Sequence, residues 1–230
     1  MLLFAPLLLS PLVVVAPGRA RSSPGRNAAK DGDCEALRLL LESGWRAELD
    51  RDRRGASALH MAAGHGHTPA LAELLGSMAV DDRTDDGATP LHFAVAGMRS
   101  RRGPGQDNGF GTGGHLGTAS ALLDHGADPA AATATEGNCI VHWAAWAGGV
   151  PLLKLLLEGA GGGGGAVVDV HARNAKGCTV AHWAASSGAL ASCRYLADTH
   201  GVDFGARNAE GNTPLTKARG LPRSPSHGLR

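Results

Sequence analysis

The sequence is poor in aromatic residues and lacks the common signatures of catalytic and metal sites. Phenylalanine, tryptophan and tyrosine together make up 4% of the 230 residues. The four cysteines form no C-x-x-C pair, which argues against a zinc or redox motif of that type and favours free thiols. There is no G-x-S-x-G segment, and the glycine run 161–165 is not followed by the Lys-Ser/Thr of a phosphate-binding loop. We therefore expect no enzymatic activity, no cofactor and no metal site.

Neither a strong charge nor a long hydrophobic segment is present. The formal net charge is +1, from 22 basic and 21 acidic residues, so no general attraction to nucleic acid is expected. The apolar run at residues 2–16 is interrupted by Pro6 and Pro11. It is shorter than the roughly 20 residues that a transmembrane helix requires. These features predict no nucleic-acid binding and no stable membrane insertion.

The first 25 residues differ in composition from the rest of the chain. Their apolar run is followed by Arg19 and Arg21, the reverse of the order in a secretory signal peptide. The absence of acidic residues from the first 30 positions is typical of an organelle transit peptide. A poorly folded start left by the loss of an upstream repeat is a third interpretation. We treat residues 1–25 as a disordered or targeting segment, and we expect the protein in the cytoplasm or nucleus unless this segment directs it elsewhere.

A hexapeptide pattern recurs along the middle of the chain. Its clearest copy is Thr89-Pro90-Leu91-His92-Phe93-Ala94. Four further copies keep the pattern to different degrees, and they are Ser57–Ala62, Cys139–Ala144, Thr179–Ala184 and Thr213–Ala218. The fourth positions of successive copies (His60, His92, His142, His182 and Thr216) are 32, 50, 40 and 34 residues apart. Regular recurrence of this kind predicts an array of similar structural units.

The pattern matches T-P-L-H-x-A, and residues 28–218 resemble the ankyrin-repeat family, whose unit is about 33 residues long. The resemblance implies an all-α solenoid of stacked helix-turn-helix units with short β-hairpin or loop fingers and a concave binding face. Two of the intervals exceed the family's unit by about 17 and 7 residues. An insertion at residues 98–113 and the glycine run 161–165 account for the excess. Both are expected in loops, because stacked helices cannot absorb extra residues.

These positions divide the chain into a repeat domain and two flanking segments. The ankyrin-repeat domain is expected over residues 26–219, followed by a disordered tail at 220–230. Its units are expected at 26–49 (partial), 50–82, 83–130 with the first insertion, 131–170 with the glycine run, 171–205, and 206–219 (partial). Leucines three and four residues apart indicate a second helix in the complete units.

The motif histidines are expected to have a structural role. The family resemblance implies that each one hydrogen-bonds neighbouring backbone and ties a finger to a helix. Because the copies recur once per stacked repeat, about 10 Å apart, they cannot share a zinc ion, whose ligand nitrogens lie about 2 Å from the metal. His65 and His67 flank a turn glycine, but no further ligands accompany them.

The residue after the motif histidine is the best candidate for contact with a partner, because the resemblance places it on the concave side of the first helix. The apolar candidates are Met61, Phe93, Trp143, Trp183 and also Trp146, which is on the helix face of Trp143. Tryptophan is enriched at binding hot spots, and an exposed apolar patch marks a partner site. The alternative is that these rings pack between neighbouring repeats, and the two interpretations are compatible. Polar candidates for the rim are Arg53, Asp85, Arg173 and Lys176.

The expected function is that of a non-catalytic protein-interaction module or scaffold, acting as a monomer and binding a partner protein on its concave face. The alternatives are a substrate-recognition adaptor of a larger complex, such as a ubiquitin ligase, and an organelle-imported scaffold. No effector motif supports either alternative. The partner's identity does not follow from the fold, since one fold hosts many functions.

Overall fold

The computed structural model describes residues 22–100, 113–159 and 168–219. Within these ranges the chain forms eleven helices, which are α1 (Pro24–Asp31), α2 (Cys34–Glu42), α3 (Ala58–His65), α4 (Thr68–Leu75), α5 (Pro90–Ser100), α6 (Gly113–Asp124), α7 (Ile140–Ala147), α8 (Val150–Leu157), α9 (Val180–Ser186), α10 (Leu190–His200) and α11 (Pro214–Arg219). Each odd-numbered helix packs on the next odd-numbered helix, and each even-numbered helix on the next even-numbered one. The result is an inner and an outer layer of helices, so the expected all-α stack is confirmed.

Consecutive helices pair into units, and we number these units from α1 and α2 onwards, with α11 as the sixth. The inner helices begin where the hexapeptide supplies a cap. In the second unit Ser57 precedes α3, and its backbone N–H donates to Nδ1 of His60 at 3.2 Å. The helix ends at Gly66, whose φ of 76° lies in the left-handed region that favours glycine. The turn that follows leads directly into the outer helix α4.

The first unit contains a copy of the hexapeptide that the sequence interpretation missed. Helix α1 begins at Pro24 and is capped by Ser23, whose Oγ accepts a hydrogen bond from the backbone N–H of Arg26. The expected boundary between residues 25 and 26 therefore falls inside this helix. Arg26 stands where the other units have histidine, and it is buried beside Asp50 at 3.4 Å. The carboxylate of Asp50 compensates the buried charge, which explains why an arginine is tolerated there.

The first insertion begins later than the sequence composition indicates. Helix α5 continues to Ser100, and Met98, which we placed at the start of the insertion, is only 4% exposed. A buried apolar side chain one turn after Ala94 extends the packed face of the helix, so the helix continues through it. Gly113 belongs to α6, while residues 101–112 of the first insertion and the whole glycine run 161–165 lie outside the described residues. So do residues 1–21 of the N-terminal segment and the tail at 220–230.

The hydrophobic core lies between the two layers. Leucines of the outer helices, such as Leu71, Leu74, Leu153 and Leu156, are at most 1% exposed. Full burial of one such side chain stabilises the fold by about 2 kcal/mol. Small residues on the inner helices, among them Ala62 and Ala63, are fully buried and allow these helices to approach closely. No helix in the described ranges combines the length and apolarity needed to cross a membrane.

The loop before each inner helix from α3 onwards forms a finger with a glycine at its turn. The fingers are joined by backbone hydrogen bonds of 2.9–3.0 Å, from Asp85, Ala134, Ala175 and Ala209 to Arg54, Asp86, Glu136 and Lys176, respectively. Among the described residues one antiparallel bridge, between Ala132 and Cys139, is formed within a finger. Gly87 has a φ of 80°, and a Cβ there would lie 2.7 Å from the backbone nitrogen of Ala134. The close approach of neighbouring fingers therefore requires glycine at this position.

Candidate partner-binding surface

The five apolar candidates lie on the inner helices and are all half-buried. Met61 is on α3, Phe93 on α5, Trp143 and Trp146 on α7, and Trp183 on α9. Met61, Phe93, Trp143 and Trp183 pack in part against the core, and part of each of the five side chains is accessible. Their accessible portions are the surface that a partner would contact.

The buried portions of three rings contact the motif histidine of the preceding unit. The ring centroids of His60 and Phe93 are 4.9 Å apart, those of His92 and Trp143 are 6.5 Å apart, and those of His142 and Trp183 are 5.9 Å apart. These rings therefore pack between neighbouring repeats, which is the alternative that the sequence left open. Because the rings are only half-buried, this packing leaves room for a partner contact as well.

Three tryptophans form a cluster on α7 and α9, which we call the tryptophan cluster. Trp143 is at its centre, with its ring centroid 6.0 Å from that of Trp146 and 5.6 Å from that of Trp183. Phe93 instead packs over α3, where its Cδ1 is 3.5 Å from the position of a Cβ on Gly64. The apolar candidates are thus a compact cluster on the fourth and fifth units and a separate pair, Met61 and Phe93, on the second and third.

The motif histidines have the structural role that the family resemblance implies. The Nδ1 of His92 accepts from the backbone N–H of Thr89 at 3.1 Å, and its Nε2 donates to the carbonyl of Asn138 in the next finger at 3.2 Å. His60, His142 and His182 make the same pair of bonds, with their Nε2 directed to Ala88, Cys178 and Asn212. Each histidine therefore joins the start of its helix to the following finger.

Burial keeps these histidines neutral. Desolvation lowers the pKa of His60, His142 and His182 below the usual value and lowers the pKa of His92 to about 4. An Nδ1 that accepts an N–H must be unprotonated, which agrees with the neutral form carrying its proton on Nε2. The four rings thus act as uncharged connectors at neutral pH.

The polar rim candidates are exposed on the fingers, but two of them also connect neighbouring units. Arg173 donates from Nη1 to the carbonyls of Gly177 and Arg207, both at 3.0 Å. Lys176 Nζ lies 2.8 Å from Oε1 of Glu136, and this hydrogen bond lowers the pKa of Glu136. Arg53 and Asp85 occupy exposed positions near the tips. Arg173 and Lys176 are therefore already engaged by other fingers of the chain.

The connecting role of the finger arginines was missed by the sequence interpretation. Arg51 and Arg83 donate from Nη1 to the glycine carbonyl of their own finger and to a carbonyl of the next finger, as Arg173 does. The signal was present, because each arginine lies nine residues before the motif histidine. In the fourth unit the finger is one residue longer and Ala132 takes the place of the arginine.

The remaining histidines give no metal centre in the described part of the chain. The rings of His65 and His67 stack 6.3 Å apart with their planes at 4°. No group of three His, Cys, Asp or Glu side chains is placed to hold an ion within residues 22–100, 113–159 and 168–219.

Comparison with known proteins identifies relatives of this architecture. A family model described as ankyrin repeats (3 copies) matches residues 26–100 and 141–220, and a model described as ankyrin repeat matches residues 86–134. The chain is 29% identical over 194 residues to a B-cell lymphoma 3 protein homolog of Mus musculus, which covers 80% of this chain and 37% of the relative. It is 42% identical over 77 residues to the probable E3 ubiquitin-protein ligase XBOS32 of Oryza sativa subsp. japonica, covering 33% of this chain and 15% of that protein. The chain therefore spans well under half the length of either relative.

Proposed function

Because this chain belongs to the ankyrin-repeat family, we propose that it is a non-catalytic interaction module or scaffold that binds a partner protein on the concave side of its inner helices. The observation that carries this proposal is the tryptophan cluster. Three large apolar rings are gathered on two neighbouring inner helices and remain partly accessible. Tryptophans in such a setting contribute much of the affinity at protein interfaces.

The charges of the neighbouring fingers favour an apolar contact. Lys176 pairs with Glu136. Lys217, which has the same hexapeptide position in the sixth unit as Trp183 has in the fifth, pairs with Glu210 at 3.6 Å. Each pair compensates its own charge, so the partner needs no strong charge to match them. Exposed pairs of this kind contribute at most about 1 kcal/mol, which leaves the rings as the main source of affinity.

Replacing Trp146 with alanine is expected to weaken partner binding by about 30-fold, since a hot-spot tryptophan contributes about 2 kcal/mol or more. Trp146 is the best single position because its ring is half-buried at the side of the cluster, with its centroid 6.0 Å from that of Trp143. Partners recovered with the full chain are identified first, and the dissociation constant of one of them is then measured by calorimetry. The triple Phe93, Trp143 and Trp183→Ala variant is expected to abolish binding.

Leu39→Ala is the matched control, because Leu39 on α2 is a 60% exposed apolar residue on the outer layer. Circular dichroism must show that every variant is folded at the temperature of the assay. Equal affinity of the wild-type, Trp146→Ala and folded triple-variant proteins would exclude the concave rings as the binding surface.

An adaptor role in a ubiquitin ligase is the second candidate. The similarity to a probable E3 ubiquitin-protein ligase favours it, although the match covers only 15% of that protein. If the role is correct, the full chain purified from cells carries ubiquitin-chain-forming activity when a conjugating enzyme is added. If the purified protein still carries its partner but shows no such activity, the result argues for a simple scaffold.

We further propose that the protein is a monomer in the cytoplasm or nucleus, built from the units defined above, with import into an organelle or secretion as the alternatives. A tag at the C-terminus would report both the location in cells and any shortening of the chain. Light scattering of the purified protein measures its mass and tests the monomer.

A further inference from the structure

Polar side-chain pairs join neighbouring outer helices at three junctions of the described structure. These pairs are Arg38 with Glu73 between α2 and α4 (3.0 Å), Thr68 with Thr118 between α4 and α6 (2.8 Å), and Tyr195 with Glu158 between α10 and the end of α8 (2.7 Å). Of the five described residues that line the space between α6 and α8, Ser120 alone has a polar side chain, so no such pair forms among them. The junction between the third and fourth units therefore lacks a connection that the others have.

A cavity takes the place of that connection. An open space of about 430 Å³ lies between α6 and α8, lined by Leu116, Gly117, Ser120, Pro151 and Leu155. Its origin is local, because small residues on α6 face the gap. A Cβ on Gly117 would find only Thr68 Oγ1 within 4 Å, at 3.8 Å. Apolar side chains that line this open space have no packing partner across it, so they lack the dispersion contacts that close packing provides.

The inner edge of the same junction is intact. His92 Nε2 donates to the carbonyl of Asn138, Ala134 N donates to the carbonyl of Asp86, and Arg83 Nη1 donates to the carbonyl of Ala132. The third and fourth units are thus fastened along the fingers and inner helices and open along the outer helices. This asymmetry is the geometry of a hinge.

We propose that the junction between α6 and α8 is the hinge of the solenoid, about which two blocks, α1–α6 and α7–α11, open and close. In a stack whose units contact only their neighbours, stability is a sum of unit and junction contributions. Partial opening then occurs at the junction with the fewest contributions. The tryptophan cluster is in the second block and Met61 with Phe93 in the first, so hinge motion changes the angle between these two surfaces. The hinge is independent of the proposed function, since it does not require a partner.

Native-state hydrogen exchange of the full chain tests the hinge without any ligand. The two blocks are expected to open as separate cooperative units. The rate of amide exchange through sub-global opening is then on the order of tenfold higher for peptides covering α9 and α10 than for peptides covering α3 and α4. Gly117→Leu places a side chain in the cavity and is expected to bring the two rates to within about threefold, by coupling the neighbouring units. Gly117→Ala is the matched control, because it removes the glycine without filling the gap, and it should keep the two rates apart.

A single exchange rate and a single denaturant dependence shared by α3, α5, α7 and α9 in the wild-type protein would overturn the hinge. Separate rates that persist in folded Gly117→Leu would place the weak junction elsewhere and would also overturn the proposal. Should Gly117→Leu fail to fold, Ser120→Leu fills the same cavity from the next turn of α6. These outcomes do not depend on whether the tryptophan cluster binds a partner.

Discussion

Replacing Gly97 with alanine is expected to lower the free energy of unfolding by about 3 kcal/mol, the upper range for an overpacked core. Gly97 lies on α5 where that helix crosses α3. A Cβ at this position would be 2.3 Å from the carbonyl oxygen of Gly64 and 2.7 Å from Cε1 of His115. Backbone cannot move away as a flexible side chain does, so α3 and α5 must separate and lose contacts along their length. Urea denaturation followed by circular dichroism measures the effect.

The sign of this result distinguishes packing from helix propensity. Alanine in place of glycine within a helix ordinarily stabilises it by about 0.5–1 kcal/mol, so propensity alone predicts a gain. Gly76→Ala is the control, because Gly76 ends α4 with a φ of −67° and a Cβ there meets nothing within 4 Å. That variant is expected to be neutral or slightly stabilised. A Gly97→Ala protein as stable as the control would contradict the close packing of α3 on α5.

Acidification from pH 7.5 to pH 5 is expected to lower the free energy of unfolding by about 2 kcal/mol through His92 alone. The pKa of His92 in the folded chain is about 4, against 6.5 for an exposed histidine. The unfolded chain therefore binds more protons below pH 6.5, and the stability from this group, fully present above that pH, is lost as the pH falls towards 4. The lowered pKa values of His60, His142 and His182 act in the same direction. Urea denaturation at a series of pH values measures the slope.

A His92→Gln variant provides the control for this pH dependence. It loses a buried hydrogen bond and is expected to be less stable at pH 7.5, but it should lose less stability on acidification, because one titrating group has been removed. Charges near His92 are Arg83 and Asp86, whose influences on its pKa oppose each other. Burial raises the pKa of Asp81. Protonation of that carboxyl on acidification therefore favours the folded state and offsets part of the stability lost through the histidines. Equal slopes for the variant and the wild-type protein would show that His92 does not titrate in the unfolding reaction.

The fold was predictable because the same few residues recur with the period of the unit. The motif histidine, the cap before it and the leucines of the outer helix are local patterns, and each one determines a local structure. The first unit was expected as a partial one, but its hexapeptide was missed because Gly25 and Arg26 stand where leucine and histidine are expected. Trp45 fills the space left by Gly25, since a Cβ on that glycine would lie 2.0 Å from a ring atom of Trp45. Such a replacement from the next loop is visible only in three dimensions.

The candidate site was predicted in its members but not in its arrangement. The position after the histidine indicated which rings lie on the inner helices. The spacing of Trp143 and Trp146 on one helix also indicated that these two rings lie together. The position of Trp183 beside them, apart from Phe93, depends on how far each unit is rotated against the next, which no local pattern encodes. The open space beside Gly117 and Ser120 was not predicted either, because a small residue within a helix does not show what lies opposite it.

The bonds of the motif histidines also have a direction along the chain. Each Nε2 donates to a carbonyl that lies later in the sequence, by 28 residues for His60, 46 for His92, 36 for His142 and 30 for His182. During synthesis, which proceeds from the N-terminus at about 5–20 residues per second, each imidazole is made before its acceptor exists. His92 has the longest interval, because the first insertion lies between it and Asn138. At that rate the carbonyl of Asn138 is added roughly 2–9 s after His92. Relative to its own synthesis, α5 is therefore joined to the following finger later than the other three helices are.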